Sequence, residues 1–241
     1  MPSSHQDNGK PMPKFNTFTH LKGVCFRNRF LIMLSLLLLL LLLMPLQIKY
    51  LQLKIIFNLL TLFIFTSGIN AISQRRSYAI AGAIMTIVFG ILVLERHYDY
   101  LIPEEILMTN IIGIIYLLFL IITILRFIYS AKVVTTDIIF ASIVVYLLMG
   151  LLFAFGYEII DALQEAPFSI PAGLSETLRT KTQYLFLYYS FVTLTTLGYG
   201  DISPNNVYGA SMSMIEAIVG QIYLVVQVAW LVGMHVSRKS K

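Results

Sequence analysis

Thr195-Thr196-Leu197-Gly198-Tyr199-Gly200-Asp201 lies between two long apolar stretches near the end of a 241-residue chain. Its two glycines alternate with bulkier residues. Without a Cβ, glycine takes positive-φ conformations at little steric cost, so an extended backbone here can turn successive carbonyl oxygens toward one line. At ordinary residue frequencies Gly-Tyr-Gly-Asp arises on the order of 10⁻⁵ per position, so chance does not account for it. The aromatic, helix-compatible run Thr182–Thr195 precedes the motif, and the apolar run Val207–Val236 follows it.

The rest of the chain reads as an all-α membrane protein. Hydrophobic residues make up 58%, charged residues 12%, and the mean hydropathy is +0.80. A soluble domain carries about twice that charged fraction. A helix needs about 20 mostly apolar residues to cross the hydrocarbon core. Six transmembrane helices are expected, at Phe30–Leu46, Ile55–Ser73, Tyr78–Leu94, Ile106–Leu125, Ile138–Phe155 and Val207–Val236. Lys49 and Lys54 divide the first two, which form a short hairpin. The poly-Leu run Leu36–Leu43 also resembles a signal peptide, but Met44-Pro45-Leu46-Gln47 offers no small-residue cleavage pattern, and a retained helix is favoured.

Positive charge orients the spans. With the N-terminus in the cytoplasm, the inner segments hold Lys10, Lys14, Lys22, Arg27, Arg29, Arg75, Arg76, Arg126, Lys132, Arg238, Lys239 and Lys241. The outer segments hold only Lys49, Lys54, Arg96, Arg179 and Lys181. This bias predicts both termini inside. Most acidic residues fall outside: Asp99, Glu104, Glu105, Glu158, Asp161, Glu165, Glu176 and Asp201. The net charge of +5 therefore reflects topology and gives no reason to invoke nucleic acid. The string Glu95-Arg96-His97 with Asp99 is expected solvated at the outer end of the third helix. The basic residues of the arm, residues 1–29, can rest on anionic membrane lipid.

One cysteine, Cys25, rules out an intrachain disulfide. The histidines His5, His20, His97 and His235 lack metal-ligand spacing. No nucleophile–base arrangement or phosphate-binding loop supports an enzyme. Inverted repeats and paired broken helices, the marks of many transporters, are not evident.

Taken with its flanking helices, the Thr195–Asp201 motif resembles the selectivity filter of the potassium channel family, whose usual form is Thr-Val-Gly-Tyr-Gly. The resemblance covers about Val133 to Val236 and is strongest from Gln183 to Gly220. It implies a pore domain over residues 131–236, with an outer helix at Thr136–Tyr157 in which Asp137 is a capping acid. A re-entrant pore helix at Thr182–Thr195 and the filter lie between helices 5 and 6. It further implies that backbone oxygens of Thr196, Leu197, Gly198 and Tyr199 hold K⁺, the permeant ion, with no other cofactor. The Thr196 hydroxyl would add the innermost ring. Gly198 and Gly200 would supply the unusual dihedrals, and Asp201 would draw cations to the mouth. Thr195 would support the filter, and Tyr188 and Tyr189 would form a cuff behind Tyr199. Either of those two tyrosines could also donate to Asp201. Leu197 replaces the more usual Val and should alter packing while preserving selectivity. One filter strand per chain implies a homotetramer.

Counted from the filter, Gly220 falls at the hinge of simple bacterial potassium channels; the alternative is a small residue for close packing. Gln221, Leu224, Val228 and Val232 would line the cavity. Glu216 is a carboxylate inside a span, a costly placement. It is expected either to bond the pore helix, at Thr193 or Thr195, or to tune conduction. Residues 30–130 form a four-helix scaffold, sensor-like but without an arginine ladder, since the fourth span and its continuation carry only Arg126. The tail, residues 237–241, leaves no expected soluble sensor domain.

Overall fold

A computed structural model of the chain describes residues 29–49, 64, 76–95, 103–171 and 182–239. Nearly all of the expected arm, the second span Ile55–Ser73 apart from Ile64, and the string Arg96-His97 with Asp99 lie outside them. The described residues are mostly helical. They form six helices, α1 (Arg29–Lys49), α2 (Arg76–Glu95), α3 (Pro103–Tyr129), α4 (Thr136–Leu163), α5 (Thr182–Leu194) and α6 (Val207–Lys239), and a minimal sheet of β1 (Phe168–Ser169), between α4 and α5, and β2 (Ser203–Pro204), between α5 and α6.

Within α3, α4 and α6, the segments Ile106–Tyr129, Thr136–Leu163 and Val207–Val236 are long and apolar enough to cross a membrane. The described apolar parts of α1 and α2, Arg29–Met44 and Ile80–Leu92, are shorter. α5 has 13 residues. At 1.5 Å per residue it reaches about 20 Å, well short of the roughly 30 Å hydrocarbon core.

α4 is the central post. On α1, Phe30, Met33, Leu37, Leu40 and Met44 form a buried stripe at helical spacing, and α1 packs against α4. Leu38, Leu39 and Leu42 face outward; a helix apolar on every side suits a lipid surround. The base of α1 is fixed by Arg29, whose Nε lies 3.5 Å from Asp137 Oδ2 and whose guanidinium sits 4.7 Å from the Phe127 ring centre. Asp137 is therefore an ion-pair partner as well as a first-turn acid. The helix N-cap, Thr135, makes no side-chain cap bond.

α3 packs along α4, and its Tyr116, Leu117, Leu120, Ile124 and Ile128 are buried. Asn110 Nδ2 donates to Glu158 Oε2 at 3.0 Å across that interface. Glu158 lies beyond the expected span Ile138–Phe155 but is buried inside α4, because the helix runs two turns past Phe155. α2 joins α3 through the Thr86–Tyr116 hydroxyl pair at 2.6 Å.

Candidate functional site

α5 packs against α4 and α6, with Leu185, Phe186 and Tyr189 turned into a second core made with Phe153, Tyr157, Phe168 and Ile202. Its C-terminal end sets the geometry of the motif. The Leu197 amide donates to Val192 O at 3.0 Å and the Thr196 amide to Thr193 O at 2.9 Å. With Thr196 at φ 58°, these are the two bonds and the left-handed residue of a Schellman cap. Glycine usually fills that position. Here a β-branched threonine does, in a conformation that disfavours it. The motif thus has three left-handed residues, Thr196, Gly198 (φ 57°) and Gly200 (φ 77°), alternating with Leu197 and Tyr199. The glycine pattern accounted for only two of them.

The far end of the motif is tied back to α5. Tyr188 OH donates to Asp201 Oδ2 at 2.6 Å, and Asp201 Oδ1 accepts from the Ile202 amide at 3.0 Å. Accepting that proton, the Asp201 carboxylate pushes the Tyr188 phenol up to about 12, so the donor stays protonated through neutral pH. Beyond it, β2 pairs antiparallel with β1, Phe168 opposite Pro204 and Ser169 opposite Ser203. Asn206 Oδ1 then caps α6 by accepting from the Gly209 amide at 2.8 Å. The segment between these anchors is open. Leu197 is 55% and Tyr199 65% exposed in the single chain.

The two tyrosines expected to act together behind Tyr199 part company. Tyr188 holds Asp201. Tyr189 turns the other way, its ring 4.9 Å from that of Tyr157 and its hydroxyl 2.7 Å from Ser213 Oγ on α6. Thr195 Oγ1 donates to Phe191 O at 2.6 Å, one turn back.

Glu216 is fully buried (0% exposed) where α4, α5 and α6 meet. Tyr157 OH on α4 lies 2.5 Å from Glu216 Oε2, and Ser190 Oγ on α5 lies 2.5 Å from Oε1. The bond runs to α5 as expected, but not to Thr193 or Thr195: Ser190, one turn before Thr193, is the residue that reaches Glu216. A lone serine in the apolar run Phe186–Leu194 was the signal available in the sequence.

Four residues of α6 at helical spacing, Glu216, Gly220, Tyr223 and Gln227, turn toward the rest of the chain. A Cβ at Gly220 would lie 2.8 Å from Leu194 O and from Leu194 Cδ1, so this glycine marks a close approach of α6 to the end of α5. Tyr146 OH donates to the same Leu194 carbonyl at 3.2 Å. Tyr223 OH donates to Ser142 O at 2.7 Å, and Gln227 Nε2 donates to Ser142 Oγ at 2.7 Å. Gln221, Leu224, Val228 and Val232 share another face of α6, exposed in the single chain. Among the described residues no group of three or more His, Cys, Asp or Glu could hold a metal ion.

A family described as "Ion channel" has a model that matches residues 145–235, from the middle of α4 to the end of α6. No curated protein and no solved structure matches the chain. The match and the apolar helices together support an ion channel family and a membrane protein.

Proposed function

We propose that the protein is a potassium-selective channel, conducting passively through a pore on the axis of a homotetramer. The observation that carries this is the backbone of Thr196–Gly200, where left-handed residues alternate with residues of negative φ. Alternating hand swings successive peptide planes to the same side, whereas in a regular strand they alternate. Four such segments would offer K⁺ stacked rings of oxygens from Thr196, Leu197, Gly198 and Tyr199, in place of its water. Backbone of this kind at membrane depth is tolerable only inside protein or against water. Three neighbouring copies supply that surround and would cover the exposed Leu197 and Tyr199.

α5 is then a re-entrant pore helix, too short to span, whose partially negative C-terminal end favours a cation. Asp201 stands at the outer mouth and Thr196 at the inner end of the filter. Gln221, Leu224 and Val228 line the cavity on α6. Both termini are cytoplasmic, in a plasma or cell inner membrane, and residues 30–130 surround the pore as a scaffold.

Purified protein in liposomes tests this directly. Potassium flux with a reversal potential that follows the K⁺ gradient in mixed K⁺ and Na⁺ is expected, from a particle of four chains. A reversal potential indifferent to K⁺ over Na⁺ would replace it with a nonselective cation channel. Absence of flux would leave a channel-like scaffold or regulatory subunit.

A further inference from the structure

We propose that Glu216 is carried as a neutral carboxylic acid whose own proton bonds α6 to α5, which makes it the positioning residue of the filter-bearing helix. Hydrogens are assigned from oxygen geometry, and here the oxygens outnumber the protons that an ionised glutamate would leave. Ser190 Oγ lies 2.5 Å from Glu216 Oε1 and 2.7 Å from Gly150 O. A carboxylate and a backbone carbonyl are both acceptors only, and a serine hydroxyl has one hydrogen. With Glu216 ionised, one of the two close oxygen pairs would face each other with no hydrogen between them.

A proton on Oε1 removes the conflict. Glu216 donates to Ser190, Ser190 donates to Gly150 O, and Tyr157 donates to Oε2. Each of these oxygen pairs then holds one hydrogen. The surroundings agree with this. The hydroxyls of Ser190 on α5 and Tyr157 on α4 bond Glu216, and the further titratable groups near it, Tyr146 on α4 and Tyr189 on α5, are phenols. None of these carries positive charge, and burial of an ionised carboxyl without a cation is strongly unfavourable.

The chain of protons crosses all three helices that frame the motif. Ser190 is five residues before Thr195, on the helix whose last turn forms the Thr196 cap, and Glu216 lies four residues before the Gly220–Leu194 approach. The acid therefore fixes α5 in depth and rotation against α4 and α6 at one point. Its functional half rests on the channel reading; its protonation does not.

The test is infrared spectroscopy joined to flux. The native-minus-Glu216→Gln difference spectrum at neutral pH should show a protonated-carboxyl C=O band that shifts in D₂O. Glutamine donates from Nε2 to Ser190 and accepts from Tyr157, so Glu216→Gln should keep K⁺ flux and reversal potential within about twofold of native. Glu216→Met has similar length but no polar atoms to donate or accept; it leaves Ser190 and Tyr157 without their buried partner and should lower flux about tenfold. Absence of the band overturns the proposal, and so does a glutamine variant as damaged as the methionine one. The band with no flux from native protein upholds the neutral acid and sinks the channel instead.

Discussion

Tyr188 and Tyr189 are adjacent on α5 and do opposite things, which gives a prediction at single-residue resolution. Tyr188→Phe removes the donor to Asp201 and frees the end of the motif, at a cost of about 1 kcal/mol for one part-exposed bond to a charged acceptor. Amide exchange at Ile202, whose N–H is held by the same carboxylate, should then quicken about fivefold. Tyr189→Phe should leave that exchange unchanged and instead lower thermal stability, because its hydroxyl joins α5 to Ser213 of α6. Equal effects of the two substitutions on the Ile202 amide would mean that the two rings act as one unit after all. Neither assignment could be read from the sequence: neighbouring helical residues point about 100° apart, and only the position of α4 decides which of them is inward. Thr196 was hidden for a different reason. A β-branched residue is a poor guess for a left-handed site, and the cap bonds to Val192 and Thr193 are what hold it there.

At the scale of helices, the path of α6 is set by what it touches. The close approach at Gly220 favours the packing role over the hinge. A methyl group there would press on a backbone oxygen, which cannot move aside as a side-chain tip can. Gly220→Ala should cost about 1–3 kcal/mol by overpacking, seen as a lower thermal midpoint of the assembled protein. Gly233→Ala is the control. Nothing in the chain lies within 4 Å of a Cβ at Gly233, and alanine's better helix propensity should leave stability unchanged or raise it by up to about 1 kcal/mol. The reverse ranking would make Gly220 the flexible point. Helices of this length were legible because lipid demands long apolar runs. α3, α4 and α6 start and end within a few residues of expectation, apart from the extra turns of α4 beyond Tyr157. The pairing of β1 with β2 was not legible, since Phe168-Ser169 and Ser203-Pro204 are too short to carry a period-two pattern. The Glu216 cluster was half legible: a carboxylate in a span announces a partner, but the choice of Ser190 and Tyr157 depends on how three helices are rotated.

Across the whole molecule, the question is whether α3 can move relative to the proposed pore. A voltage sensor needs three to four gating charges per subunit, each worth about 2.3 kcal/mol per 100 mV. α3 carries one basic residue in its last turn, Arg126, where a cation also complements the helix C-terminus. The packing opposes motion as well. Asn110 is bonded to buried Glu158 near one end of α3, and Tyr116 to Thr86 of α2 in the middle. At the other end, Tyr129 OH donates to Gln227 Oε1 on α6 at 3.3 Å, and its ring stands edge-on to Trp230 with centres 5.3 Å apart. A slide of one helical turn, about 5.4 Å, would break all of these at once and strand polar groups in apolar surroundings. α3 is therefore a strut that braces α6 through Tyr129, and conduction should depend on voltage only weakly. In planar bilayers the conductance–voltage curve should have a steepness below about one elementary charge per subunit, and Arg126→Gln should leave its slope unchanged. A steep curve that flattens in the Arg126→Gln protein would show that α3 moves in the field, and would turn the strut into a sensor.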